Sequence, residues 1–152
     1  MNEGIKKVDL NFEKEKEDIK WKNQQEKTKY LMSKFSEVLA QNPIEIYTKY
    51  GDRIEKVGII FDKIERVTTD ESGTGGNIEV IFNNNNYIAV SKRGFGSSSL
   101  FGKEGQHKIK KEAFQNILTM MSELIKASGY SETEKSKMLQ DVVDNFKDNI
   151  IE

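Results

Sequence analysis

The only proline of the chain, Pro43, separates two kinds of hydrophobic pattern. Before it, apolar residues recur at the spacing of a helix face, at Leu31, Phe35, Val38 and Leu39. After it, apolar and polar residues alternate, as in Ile44 and Ile46, which is the spacing of a strand. Since the residue before a proline is pushed out of helical geometry, the helix is expected to end at Asn42.

The region before Pro43 is predicted to be a loose arm over residues 1–12 and a projecting N-terminal helix over residues 13–41. The first half of this helix is almost entirely charged or amide side chains, with Ile19 and Trp21 as isolated apolar residues. It cannot bury a broad face of its own. Because Trp is a common anchor at interfaces, Ile19 and Trp21 are candidate partner-binding residues. The alternative is that Trp21 covers the edge of its own sheet.

Residues 43–92 form a predicted β region of about four or five strands. Tyr50 to Asp52 are expected to form a turn, and residues 72–77 a flexible loop. Asn tolerates the left-handed backbone, so Asn83 to Asn86 are expected to close a hairpin.

Residues 107–151 are predicted to form two C-terminal helices. Gly129 stands where a C-cap glycine would end the first, and Ser131 with Glu134 forms a capping-box pattern at the start of the second. The predicted fold is a single α+β domain over residues 1–152, in which one small antiparallel sheet is packed by the N-terminal helix and the two C-terminal helices.

One segment carries a family resemblance. The stretch GIIFDKIERV at residues 58–67, followed by a hairpin and an amphipathic helix, resembles the bacterial PH-like barrels that are capped by a helix. The resemblance implies about seven strands, whereas the pattern alone shows four or five.

The composition gives little support to catalysis. The chain has no Cys and one His, His107, which excludes disulfides and ordinary zinc sites. Ser97 to Ser99 with His107 would lack the rigidity that a catalytic triad needs. Asp141, Asp144 and Asp148 fit a solvated helix face at least as well as a cation site. We therefore expect no catalytic residues, no metal and no cofactor.

Residues 91–111 hold six Lys or Arg and one Glu, the strongest charge bias in the chain. Residues 93–106 are predicted to be a basic Gly/Ser loop. Its lysines could contact phosphates and its Phe side chains could stack on exposed bases. The candidate polyanion-binding residues are Lys92, Arg93, Phe95, Phe101, Lys103, His107, Lys108, Lys110 and Lys111.

The leading interpretation is a non-enzymatic accessory module that binds a protein partner, or a second copy of itself, through Ile19 and Trp21. The alternative is sequence-tolerant binding of single-stranded nucleic acid by residues 92–111. Lys outnumbers Arg by 21 to 3, which is typical of an AT-rich genome, and the module is expected to come from a low-GC bacterium or its phage or plasmid. A cytoplasmic location without membrane contact is expected, because the first residues lack a secretion signal and no apolar run reaches about 18 residues.

Overall fold

The structure, a computed structural model, describes residues 24–69, 77–97 and 107–151. It begins with helix α1 (Gln24–Gln41), followed by strands β1 (Ile44–Tyr50), β2 (Arg53–Phe61), β3 (Ile64–Thr69), β4 (Ile78–Phe82), β5 (Tyr87–Ser91) and β6 (Gly94–Ser97). Then come β7 (His107–Lys110), α2 (Lys111–Ala127), α3 (Glu132–Phe146) and β8 (Ile150–Ile151), with single 3-10 turns at Asn83–Asn85 and Lys147–Asn149. The predicted α+β class is confirmed.

The strands form two four-stranded sheets. Sheet A has the order β2-β1-β7-β8, and sheet B has the order β3-β4-β5-β6. All neighbouring strands are antiparallel except β7 and β8, which are parallel. One sheet with four or five strands was predicted, whereas the described residues form two sheets with eight strands in all. The prediction missed short strands that carry few apolar residues, such as β6 and β7.

The core gathers apolar side chains from both sheets and all three helices. The four apolar residues that predicted α1 are all buried, at Leu31, Phe35, Val38 and Leu39. The rings of Phe61 and Phe82 stack with their centroids 5.1 Å apart, which joins the end of β2 in sheet A to the end of β4 in sheet B. Such a buried aromatic pair contributes about 0.5–1.5 kcal/mol beyond the burial of its area.

Local sequence signals set most of the element ends. α1 ends at Gln41, next to Asn42 and Pro43, as expected. The predicted Asn hairpin joins β4 to β5, and Asn84 and Asn85 have φ of 70° and 61°. The capping box is present, because Ser131 accepts from the Glu134 N–H while the Glu134 carboxylate accepts from the Ser131 N–H. Gly129 is not a left-handed cap; Ser128 occupies the C-cap of α2 and its hydroxyl donates to the Ile125 carbonyl.

Two predicted boundaries near the basic segment are corrected. The expected loop over residues 93–106 begins instead as strand β6, which pairs with β5. The expected helix from residue 107 begins at Lys111, because residues 107–110 form β7 in sheet A. Ile109 is fully buried there, so a single apolar residue between lysines is enough for a short strand that pairs on both sides. Of the helices in the described ranges, none is long and apolar enough to cross a membrane.

Candidate protein-docking edge

β2 is the longest of the four strands that end the two sheets. Sheet A ends in β2 and β8, and sheet B ends in β3 and β6. β8 has two residues, β6 has four and packs against α3, and β3 packs against α1. β2 has nine residues, of which Phe61 is buried and Ile59 half-buried while the rest are exposed. Among residues 24–69, 77–97 and 107–151 no other strand pairs with its outer side, so β2 presents an open sheet edge together with exposed side chains on both faces.

The exposed apolar side chains of the described residues concentrate on this edge. The large ones are Ile54, Val57 and Ile60 on β2, which are 44%, 40% and 41% exposed, and Tyr50 at the end of β1, which is 54% exposed. Scattered exposed apolar residues are ordinary on a protein surface. A group of them along one edge strand is unusual, because an edge of this kind can pair with another chain.

A bulge divides β2 into a regular half and an irregular half. Residues 53–56 pair one to one with Tyr47 to Tyr50 of β1, whereas the register shifts between the Tyr47–Lys56 pair and the Glu45–Ile60 pair. Three residues of β2, 57–59, therefore lie opposite Ile46 alone. Gly58 takes a φ of 91° there, in the region that favours glycine. Only the regular half offers an even ladder to another strand.

The regular half carries charges of alternating sign. From the turn onward the sequence reads Asp52, Arg53, Ile54, Glu55, Lys56, and all five residues are exposed. The Nε atom of Arg53 lies 3.2 Å from Glu55 Oε1, and the Arg53 guanidinium lies 5.8 Å from the centre of the Tyr50 ring. Because these groups are in water, each contact contributes little to the stability of the monomer.

A polar cluster lies on the outer face of sheet A, the face opposite the buried Ile44 and Ile46. Tyr47 donates to Glu45 Oε2 at 2.9 Å, and Lys56 Nζ lies 2.8 Å from the same oxygen. The hydrogen bonds from Lys56 and then Tyr47 lower the pKa of Glu45. Burial, followed by the hydrogen bond to the Glu45 carboxylate, raises the pKa of Tyr47 to about 12. Lys110 Nζ lies 5.7 Å from the centre of the Tyr47 ring.

The far end of β2 is held by Asn83. Its Nδ2 donates to the Ile60 carbonyl at 3.1 Å, and its Oδ1 accepts from the backbone N–H groups of Asp62 and Lys63 at 3.2 and 3.3 Å. One amide side chain of the hairpin in sheet B thus binds the corner between β2 and β3. These contacts hold the end of β2 and the start of β3 against the hairpin between β4 and β5.

Several residues predicted to bind a partner or a polyanion lie outside the described residues. These are Ile19, Trp21, Phe101 and Lys103. Docking through Ile19 and Trp21 therefore stays a prediction.

Lys92 and Arg93 form the turn between β5 and β6. Lys92 Nζ lies 3.1 Å from Glu134 Oε2 and 5.6 Å from the centre of the Tyr130 ring, so its charge is already engaged by α3 and the turn before it. Phe95 is half-buried, and its ring meets Phe146 edge to face at a centroid distance of 5.7 Å. This position gives no support to base stacking by Phe95.

His107, Lys108 and Lys110 belong to β7, and Lys111 opens α2. The His107 carbonyl accepts from Asn149 Nδ2 at 3.0 Å, and the ring atom Nδ1 of His107 is buried without a hydrogen-bond partner. Lys108 donates to the carbonyl of Asp148. Lys111 is exposed. The basic residues that the structure describes are thus divided among a turn of sheet B, a strand of sheet A and the first residue of α2.

The edge was missed in the sequence because exposure depends on the order of the strands in the sheet. RIEKVGIIF does not alternate cleanly, and residues 57–61 form a continuous β-rich run, so the sequence predicts a strand without showing which side of it is open. A usable signal was Gly58 inside a β-rich run, which is typical of a bulge. Bulges are common at sheet edges.

Comparison with known proteins identifies no relative. No family model, no curated protein and no solved structure matches the chain. The resemblance of residues 58–67 to PH-like barrels therefore stays a prediction. Within the described residues, no group of three or more His, Asp or Glu side chains is placed to hold a metal ion.

Proposed function

We propose that this chain is a protein-binding module that docks an extended segment of its partner along β2. The observation that carries the proposal is the nine-residue edge strand on which Ile54, Val57 and Ile60 are exposed. In strand addition, the unpaired main-chain groups of the edge bind the incoming strand, and alternate side chains select it. Contact of this kind requires no catalytic group.

This proposal moves the docking surface from the N-terminal helix to β2. The described part of α1 packs against the hydrophobic core, where Leu31 and Phe35 are buried. An accessory role in a phage or plasmid, and action in the cytoplasm, remain part of the proposal on the grounds of composition.

Site-specific photo-cross-linking tests the docking edge in the organism that encodes the chain. A photoreactive phenylalanine analogue is placed at Ile54 or Val57 of the full chain, and in a control at Glu132, whose side chain is 93% exposed at the start of α3. We expect covalent adducts of defined mass from the two β2 positions and none from position 132. Adducts of equal yield at position 132, or none at either β2 position, would contradict docking along β2.

A second candidate function, binding of single-stranded nucleic acid, is favoured by the outer face of sheet A. Tyr47 pairs with Lys56 on one side and with Lys108 on the other, so these residues share a face with Lys49 and Lys110. Four lysines thus share the outer face with Tyr47 and Glu45, and Lys110 Nζ lies 5.7 Å from the centre of the Tyr47 ring. Lysines could bind phosphates while Tyr47 stacks on a base. This surface replaces the continuous segment 92–111 as the candidate.

Oligonucleotide binding by fluorescence anisotropy separates the two surfaces. If about four phosphates are bound, log K should fall with log salt with a slope of about −3. We expect Lys49→Glu with Lys110→Glu to abolish binding, while Lys92→Glu with Arg93→Glu leaves it nearly unchanged. The reverse result would return the site to the turn of sheet B, and no binding at low salt would remove this candidate.

A further inference from the structure

The regular half of β2, together with Asp52 of the preceding turn, has a charge pattern that is complementary to itself. Around Ile54, Arg53 is mirrored by Glu55 and Asp52 is mirrored by Lys56. An identical strand that runs antiparallel places residue 53 opposite 55 and residue 52 opposite 56 when the two Ile54 residues face each other. Each charged residue then faces a residue of opposite sign.

We propose that the segment docked on β2 is β2 of a second copy of this chain, paired antiparallel with a two-fold axis at Ile54. The inference rests on the proposed function, because it names the partner of the same edge. The pairing joins two copies of sheet A into one continuous sheet. It creates two contacts between Arg53 and Glu55 of the second copy and two between Asp52 and Lys56 of the second copy.

The side chains on both faces of the joined sheet are compatible with this pairing. Residues that face each other across antiparallel strands point to the same side. Ile54 and Lys56 point to the outer face, since they pair with Lys49 and Tyr47 of β1. Ile54 therefore faces Ile54 of the second copy. Lys56, whose Nζ is already 2.8 Å from Glu45, also faces Asp52 of the second copy. Arg53 and Glu55 lie on the other face, where Tyr50 pairs with Arg53 within the chain.

Neighbouring symmetric registers are less favourable. A two-fold axis at Arg53, Glu55 or Lys56 places that charged residue opposite the same residue of the second copy. Like charges that face each other directly are destabilising. A centre at Val57 avoids like charges and pairs Ile54 with Ile60 of the second copy. That ladder, however, has to pass through residues 57–59, where the bulge and Gly58 interrupt the regular backbone. The register at Ile54 uses residues 53–56 and Asp52 of the preceding turn, and it avoids the bulge.

Charge reversal tests the register in the full chain. Analytical ultracentrifugation up to about 1 mM should show a reversible dimer. Arg53→Glu alone and Glu55→Arg alone each create two like-charge pairs and should weaken the dimer roughly 10- to 100-fold. An equimolar mixture of the two variants should form a heterodimer with affinity close to that of the wild type, because both cross-strand pairs become opposite in sign again.

A matched control distinguishes the interface from a general effect of charge. Lys63 and Glu65 form a similar exposed pair on the same chain, with Nζ and Oε1 4.0 Å apart, and do not lie on β2. Lys63→Glu should leave the dimer unchanged. Circular dichroism on all variants checks that they fold, and the doubly swapped Arg53→Glu, Glu55→Arg chain should again form a homodimer.

The outcomes separate the inference from the proposed function. A chain that stays monomeric at about 1 mM, but forms β2 adducts with a different protein, would overturn the second copy and leave the docking edge in place. A dimer that ignores both charge reversals would overturn the register. Absence of both self-association and adducts would remove the inference and the proposed function together.

Discussion

Asn83 should be one of the most sensitive polar positions in the chain, although it lies in a hairpin turn. Its side chain makes three hydrogen bonds to the β2–β3 corner, at 3.1 Å to the Ile60 carbonyl and at 3.2 and 3.3 Å from the Asp62 and Lys63 N–H groups. A net hydrogen bond contributes about 0.5–1.5 kcal/mol, and the lower value applies because Asp62 and Lys63 are exposed to water. Asn83→Ala should therefore lower the free energy of unfolding by about 1.5 kcal/mol.

Asn86→Ala is the matched control in the same turn. The Asn86 side chain makes one hydrogen bond, from Nδ2 to the Asn84 carbonyl at 3.3 Å, and joins no second element. We expect it to cost at most about 0.5 kcal/mol. Urea unfolding followed by circular dichroism measures both variants, and the loss for Asn83→Ala corresponds to a fall in Tm of about 3–6 °C. Equal stabilities of the two variants would refute the view that Asn83 holds the corner.

Two further predictions concern the capping box and the acid dependence of the outer face. Ser131→Ala should lower the free energy of unfolding by about 1 kcal/mol, while Ser136→Ala, in the exposed interior of α3, should not, as thermal unfolding can show. Glu45→Gln should cost a few tenths of a kcal/mol near neutral pH. The folded chain lowers the pKa of Glu45 below its ordinary value of 4.5, so this cost should disappear as the pH falls through that lowered pKa. Urea unfolding at a series of pH values measures the difference in stability between the two proteins. A difference that stays constant down to acid pH would contradict the role of Lys56 and Tyr47.

Features set by a few adjacent residues were predictable from the sequence. The end of α1 at Asn42 and Pro43, the Asn hairpin and the Ser131 box all depend on local backbone chemistry, and all three are present. The buried stripe of α1 was predictable for a similar reason, because its periodicity is contained within one element.

Features set by contacts between distant segments were not predictable. HKIK at residues 107–110 holds one apolar residue, and it becomes a strand only because β1 and β8 lie on either side of it. In the same way, β2 is an edge because β1 pairs with it on one side and no strand of the described residues pairs with it on the other. The residues of RIEKVGIIF do not themselves determine whether a second strand pairs with the outer side of β2.

The charges on β2 also explain how an open edge could remain selective. Lys56 and the bulge at residues 57–59 are features that discourage unspecific strand pairing. A two-fold contact at Ile54 covers the same edge on both copies, so it closes at a dimer and does not extend into a fibre. Because this register depends on four cross-strand ion pairs, the dimer should weaken as salt rises from about 0.05 M to about 0.5 M. A register centred on Val57, which is held by apolar contacts, would keep its affinity over that range, and sedimentation at the two salt concentrations therefore decides between them.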